Sequence, residues 1–537
     1  MTSITRQRIG KRIYLYESVS FRDNNGKPRN KKTPIGKIEP ITGHIIYKQD
    51  YLDRMTDAGT PVEVANTDTY VTQDQHEQTI AIMDSIKDYG AVYLLDKISE
   101  NIGLTKILTE AMPDYWQEVL TLACFMILSD KPMMYCSDWI SSTETLSVGD
   151  LSSQRISELL VAFGANARYS FLEAWARHIS EQEYIALDIT SISSYSELVT
   201  ENEWGYNRDH EDLPQINLCM LLGEQSRLPI YQTVYSGSLN DVSTLQCTLS
   251  ELTTLVPEKH VRIVMDKGFF SVKNIDMLLS NENGQEFLIS VPFTSKFARK
   301  QVESERKDID QIANTIITSG TPIRGVHQLR VWGTKGQILH THILYNPEKA
   351  LKDRNDLYGY VTDLKKKAEA DPNDGKLKDE FDKYLIIRKS EKQESGYTIN
   401  TRDDVIDKQL GHAGWLILIS NSVSSTQEAH DLYRIKDVVE KGFCKFKNSL
   451  GLGRLHVQSN DRMQNKIFVG FIALILMSWI HKNMSDKGMY KQMTFDKMML
   501  TLSKIKIAKI NDQRILRPLT KEQKQILQQL GVDAPVG

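Results

Sequence analysis

The sequence predicts a mixed α/β fold (α+β): a mixed sheet covered by helices, with a helical region before it and a β-rich insertion ahead of its last helix. Three observations predict it. Apolar residues fall at helical spacing from about residue 80 to 180, then at strand spacing in short runs broken by turns, and the pattern turns irregular between 292 and 412 before it returns. The length of 537 residues exceeds one ordinary core, so appended modules are expected, and the 40% apolar and 25% charged content is that of folded protein.

The elements follow in order. Residues 1–75 form a basic β module: Ile13, Leu15 and Glu17 alternate with Tyr14, Tyr16 and Ser18, and Asp23-Asn24-Asn25-Gly26 reads as a turn. Residues 76–180 are helical, with Leu94, Leu95, Ile98 and Ile102 on one stripe and Leu104, Ile107 and Leu108 on the next. Residues 181–291 carry strands at Tyr184–Ile192, Ile216–Leu222 and Leu228–Tyr235. A helix capped by Asp241 and ended by Pro257 follows, then a strand Val261–Met265, a short helix from Val272 to Leu279 and a strand Phe287–Val291. Three strands, helix, strand, helix, strand is the order of an RNase H-like core, whose ligand site is expected near the carboxyl ends of its central strands. Residues 292–412 read as an inserted module, 413–485 as the last part of the core with a helix from Thr426 to Ser449, and 486–537 as a basic C-terminal segment.

Several classes of function are excluded or disfavoured by composition. Five cysteines without a Cys-x-x-Cys pair argue against a zinc ribbon and a disulfide framework, and suit a reducing cytoplasm. The N-terminus has Arg6, Arg8, Lys11 and Arg12 but no apolar stretch of a secretory signal, and the apolar run Ile467–Ile480 is 14 residues, which favours a buried core helix over a membrane span. Net charge is only −3, but residues 1–40 hold ten Lys and Arg against three acids, and residues 481–537 eleven against five. Such ends meet phosphate, or are plain solvated surface; charge alone does not choose.

Two carboxylates stand out. In Tyr184-Ile-Ala-Leu-Asp188-Ile, alternation sets Asp188 on the face opposite Ile185, Leu187 and Ile189. Asp266 ends Val261-Arg-Ile-Val-Met, a near-continuous apolar run that suits a central strand. Two such groups close together on neighbouring strands resist joint ionisation unless a cation neutralises them, and oxygen donors select a hard ion such as Mg2+ or Mn2+. A third candidate lies in the helical segment from Tyr433 to Lys447. At about 100° per residue, Tyr433, Lys436, Glu440 and Lys447 share one stripe, and Ile435, Val438, Val439 and Phe446 fall opposite, against the sheet. The competing reading is an ordinary solvated face with an intrahelical Lys436–Glu440 pair.

At these residues the sequence resembles bacterial insertion-sequence transposases of the DDE class, in the branch with a Tyr-x-x-Arg-x-x-x-Glu-x-x-x-x-x-x-Lys (YREK) signature. Tyr433, Glu440 and Lys447 match it in register, Leu187-Asp188-Ile-Thr-Ser matches the first acidic motif, and Met265-Asp266-Lys-Gly268-Phe the second, Asp-x-Gly-Phe. The likeness extends to the ends through Tyr14-Leu-Tyr-Glu-Ser18 and Thr520-Lys-Glu-Gln-Lys524. The signature's Arg is Lys436 here, which keeps the charge and loses the planar fork. The adjacent Arg434 is expected to point elsewhere.

The resemblance implies a DNA transposase that cuts insertion-sequence ends and transfers them to target DNA, with catalytic and metal-binding Asp188, Asp266 and Glu440, two Mg2+ ions (Mn2+ as a substitute) and DNA contacts from Tyr433, Lys436 and Lys447. It implies a homodimeric synapse on terminal inverted repeats, a cytoplasmic, nucleoid-associated location and no membrane. A non-cutting DNA-binding regulator or domesticated relative is the alternative. His340 and His342 share a strand face but lack a third ligand, Gly333-Thr-Lys-Gly336 is no nucleotide loop, and Trp332 and Trp415 suit core packing better than stacking on an unpaired base.

Overall fold

In a computed structural model of the chain, residues 2–9, 12–23, 26–38, 45–57, 82–83, 85–146, 149–179, 184–255, 262–280, 285–318, 320–333, 336–390, 396–510 and 513–536 are described. Asn24 and Asn25 of the expected first turn, the helix terminator Pro257, the strand start Val261 and Thr334-Lys335 lie outside them. Two compact units result, residues 1–81 and 82–537.

The first unit is a four-stranded antiparallel sheet of β1 (Thr2–Ile9), β2 (Arg12–Arg22), β3 (Pro28–Ile38) and β4 (Ile45–Tyr47) in sequence order, followed by helix α1 (Gln49–Asp57). Strand β1 precedes the region where the alternation is plain. The core is small: Leu15, Ile35 and Tyr51, with Ile38, Tyr47 and Met55 around them. Arg6, Arg8, Arg22, Arg29, Lys31 and Lys32 stand exposed on its strands.

The second unit begins with a short strand β5 (Lys87–Asp88) and helices α2 (Gly90–Asn101), α3 (Leu104–Ala111), α4 (Trp116–Leu128), α5 (Cys136–Ser142), α6 (Ser153–Ala162) and α7 (Ala165–Ile179). The core strands follow: β6 (Tyr184–Ser193), β7 (Gln215–Gly223) and β8 (Pro229–Ser236), helix α8 (Asp241–Leu255), β9 (Arg262–Met265), helix α9 (Val272–Ser280) and β10 (Glu286–Ser290). Their spatial order is β8-β7-β6-β9-β10, with β7 antiparallel to β6 and β8, and β9 parallel to both β6 and β10. This is the RNase H-like arrangement. Strand β9 is apolar after Arg262, every residue of β7 is buried, and β6 turns its Asp188 face toward a cavity.

The segment read as one inserted module divides in two. Helix α10 (Lys296–Glu305) leads to β11 (Thr315–Thr318), β12 (Thr321–Trp332) and β13 (Gln337–Tyr345), and these strands extend the core sheet. After them come α11 (Pro347–Ala370), α12 (Lys378–Tyr384), the hairpin β14 (Leu385–Lys389) with β15 (Tyr397–Thr401), and α13 (Asp403–Leu410). These pack around their own cluster, in which Leu357, Val361, Leu364 and Ala368 of α11 recur at helical spacing against Phe381 and Leu385. Strand β16 (Trp415–Ser420) then returns to the sheet between β13 and β10, antiparallel to both. A main-chain edge at β10 explains the join: a strand offered there pairs whatever module carries it.

Past β16 the chain forms α14 (Thr426–Tyr433), α15 (Lys436–Cys444) and a π turn, Lys445–Ser449. Helix α16 (Asn460–Asp486) is long and apolar enough to cross a membrane by length and composition, but it is mostly buried inside this unit, where Phe468 meets the rings of Phe163 and Phe171. Asn465 on it donates to the main-chain oxygens of Leu160 (3.1 Å) and Phe163 (2.8 Å), which meet the unpaired carbonyls at the end of α6. Gly470, also on α16, lies so close to the π turn that a Cβ there would collide with Leu452 and stand 3.0 Å from Phe446. The basic C-terminal segment is folded: α17 (Phe495–Ser503), β17 (Lys506–Ile510) pairing with β5 and β18 (Gln513–Leu516), and α18 (Lys521–Gln529). Thr520 and Gln523 form a capping box on α18.

Candidate active site

Strands β6 and β9 run parallel in the register Leu187 to Met265, so Asp188 and Asp266 are the next residues on two adjacent strands and share a face. Asp188 is still inside β6, whereas Asp266 leaves β9 for a tight turn, where its Oδ1 accepts the Lys267 N–H at 2.6 Å. Gly268 belongs to that turn. A Cβ there would lie 2.6 Å from Oδ2 of Asp241, so the glycine of Asp-x-Gly-Phe admits a third acid behind the turn. Asp241, expected as a helix cap, is instead ion-paired with Arg208, and Asn240 takes the capping role by accepting the Ser243 N–H at 3.0 Å.

The expected continuous helix from Thr426 to Ser449 is broken twice. It is interrupted at Arg434–Ile435 and widens into the π turn after Cys444. The first break turns Tyr433 and Lys436 toward the strand ends. Tyr433 donates from its hydroxyl to Asp266 Oδ1 at 3.0 Å, and Lys436 Nζ lies 2.9 Å from Asp266 Oδ2 and 3.1 Å from Glu440 Oε1. The Lys436–Glu440 pair of an ordinary helix face is therefore present, and the same ammonium also reaches the sheet. The opposite side is buried as expected, with Val439 and Phe446 fully enclosed.

The second break re-aims Lys447. The π turn rotates the helix face, and Lys447 Nζ sits 2.6 Å from Asp209 Oδ2 on the loop between β6 and β7. Two cavities meet at the acids. One, of about 620 Å³, is lined by Asp188, Glu440, Lys447 and Arg454; the other, of about 1160 Å³, by Asp266, Tyr433, Lys436 and Glu440. Glu440 lies on both. Arg434, expected to point elsewhere, lines the second.

Burial pushes the Asp188 carboxyl up to about 7, and the charge of Asp266 adds to this against the Ile189 N–H, Lys436 and Arg208. Burial also pushes Asp266 up, but Lys436, the Lys267 N–H and Tyr433 outweigh it and hold this carboxyl below its ordinary value. Lys436 is raised: burial works against its charge and Asp266 more than offsets that. Among the described residues, no three His, Cys, Asp or Glu side chains stand in an ion-holding group. The donor set nevertheless suits a hard cation. It is all carboxylate, one member is a buried acid whose charge is opposed by its surroundings, and the Lys436 ammonium stands between the other two as a cation does.

The other sequence candidates are structural. His342 is buried, with Nδ1 on the Thr426 hydroxyl (3.2 Å) and Nε2 on the Val423 carbonyl (3.0 Å), and burial lowers it to about 4. His340 Nδ1 faces His327 Nε2 at 3.0 Å. Trp332 is buried and donates to Asp276 at 2.8 Å; Trp415 is buried beside Tyr345. Sequence reasoning missed the charged residues of the β6–β7 loop, Arg208, Asp209 and Glu211, and Arg454, the partner of Glu211. Their one signal is the charge run Arg208-Asp-His-Glu-Asp212 between two apolar strands.

The sheet thus carries two aspartates on adjacent central strands, and a glutamate stands on a helix that follows it. Residues 179–476, more than half of the chain, match the family model described as a transposase DDE domain, and the chain belongs to that family: it is a DNA-cutting transposase. Among solved structures it is similar to a piggyBac transposase synaptic complex with hairpin DNA, at 12% identity and a TM-score of 0.34, over 76% of this chain and 70% of that one. No curated protein matches it.

Proposed function

We propose that the chain cuts the ends of an insertion sequence and joins them to target DNA in a divalent-metal-dependent reaction, as a member of the YREK branch. The supporting observation is the placement of Asp188 beside Asp266 on paired strands, with Glu440 on the rim of both cavities. Mg2+ or Mn2+ held by Asp188, Asp266 and Glu440 supplies charge neutralisation at the scissile phosphate and a more acidic attacking hydroxyl.

The chain's own groups do the remaining work. Asp188 gives up its proton when a cation is at hand, because the burial that favours the neutral acid is then outweighed. Tyr433 fixes one oxygen of Asp266 and leaves the other to Lys436. Lys436 and Lys447, on either side of Glu440, meet phosphates of the DNA backbone as point charges. The exposed basic strands of residues 1–75 bind the inverted repeat, and two protomers pair two DNA ends in the cytoplasm.

The test is strand cleavage of a supercoiled plasmid carrying the element's own ends. Cutting requires Mg2+ or Mn2+ and falls to background in Asp188→Asn, Asp266→Asn and Glu440→Gln, with end binding retained. Normal cutting by any of these variants overturns the assignment.

A further inference from the structure

One loop holds two of the three cations that line the smaller cavity; the third, Arg208, is paired with Asp241. Asp209 takes Lys447 at 2.6 Å, and Glu211 takes Arg454 through both oxygens, each 2.6 Å from a guanidinium nitrogen. The loop presents these acids from a fixed turn: the Asn207 side chain accepts the N–H of Asp209 (2.9 Å) and of Glu211 (3.3 Å), and it donates to Ser193 at 2.9 Å. Arg454 is preset as well, with its guanidinium 5.7 Å from the centre of the Tyr195 ring. The same cavity is lined by Asp188 and Glu440.

We propose that Arg454 is a DNA-phosphate-binding residue that works with Lys447 in this cavity, and that Asp209 and Glu211 fill it in the free protein as stand-ins for phosphate. The inference rests on the DNA path of the proposed function. A carboxylate taken through both oxygens by a guanidinium has the geometry of an Arg–phosphate pair, so DNA replaces Glu211 without leaving the cation unpaired. Position 436 has lost the planar fork of the signature's arginine; Arg454 offers one in a cavity that Glu440 also lines. The two side chains are half-buried, at 13% and 29% exposed, and the loop's acids neutralise them in the free protein.

The experiment measures binding in an Asp188→Asn background, using anisotropy of a fluorescein-labelled duplex of arbitrary sequence across a salt series. Arg454→Gln weakens binding about tenfold and lowers the slope of log K against log salt by about 1. Arg454→Lys keeps the slope and loses part of the affinity, and Glu211→Gln and Asp209→Asn bind several-fold tighter than their parent. Melting temperature is followed for each; should Arg454→Gln fail to fold, Arg454→Lys against Glu211→Gln decides. Unchanged affinity and slope in the Arg454 variants, or weaker binding in Glu211→Gln, reduces the pair to a loop staple and overturns the inference. A wild-type protein that binds with these slopes but never cuts counts against the proposed cleavage alone.

Discussion

Asp188 and Asp266 occupy equivalent places on two parallel strands, yet the surroundings drive their protons in opposite directions. Asp266 lies outside its strand, in a turn, with a main-chain N–H, a phenol and an ammonium all aimed at it. Asp188 is one residue deeper in a covered strand, and its Oδ1 has the Ile189 N–H at 2.8 Å while Lys436 acts on it only through space. One ammonium settles one acid of the two. What remains at Asp188 is a buried acid held toward its neutral form, which a further cation beside it would reverse.

Removing the ammonium is the strongest way to break this contrast. Lys436→Met leaves Asp266 half-buried without its cation, and chemical denaturation is expected to read a loss of about 2 kcal/mol, below the full buried-pair figure because both groups keep some solvent. A loss below about 0.5 kcal/mol returns Asp266 to the status of a surface acid and removes the asymmetry.

The second test sharpens it. The folded pKa of Asp188 is raised from 3.8 to about 7, so its contribution to stability is fully present below the unfolded value and is lost as pH rises through the folded one. A cation that pairs with the ionised acid restores it. Mg2+ is therefore expected to raise the melting temperature more at about pH 8 than at about pH 5.5, and Asp188→Asn to remove that difference. Equal shifts at both pH values in the parent protein count against a role for Asp188.

The smallest effect belongs to Glu440, whose side chain is 56% exposed. Glu440→Gln is expected to change stability by no more than about 0.5 kcal/mol even as cutting is lost, so the rim acid separates from the two strand acids in a melting experiment. A loss of several kcal/mol makes Glu440 a structural residue.

Much of this was legible along the chain. Strands β7 and β9 are legible as apolar runs, because strands covered on both faces have no polar alternation to hide in. Asp266 follows from where the β9 run ends, and Asp188 from the alternation within β6. The helix carrying Glu440 was legible as an amphipathic stripe, but its two breaks were not: a periodicity of 3.6 fits the segment equally well with or without a π turn, and only packing against Leu452 and Gly470 decides. Lys447 shares a cavity with Glu440, as their common stripe predicts, but its pairing with Asp209 has no local trace. Strands β11–β13 read as a separate module because pairing partners far apart in sequence leave no local trace. Arg454 was invisible for the same reason, its partner Glu211 lying 243 positions away.

Gly470 contributes no donor, acceptor or charge, yet it sets a clearance. The turn behind the acid helix rests on the scaffold at the one place on α16 where a methyl is missing, with Phe446 filling the space. An alanine there would act as a shim, driving the Leu452 side chain aside and pressing on the Phe446 ring of the turn that follows the Glu440 helix. The seating of that turn is thus gauged by an empty position in a helix that supplies none of the three acids.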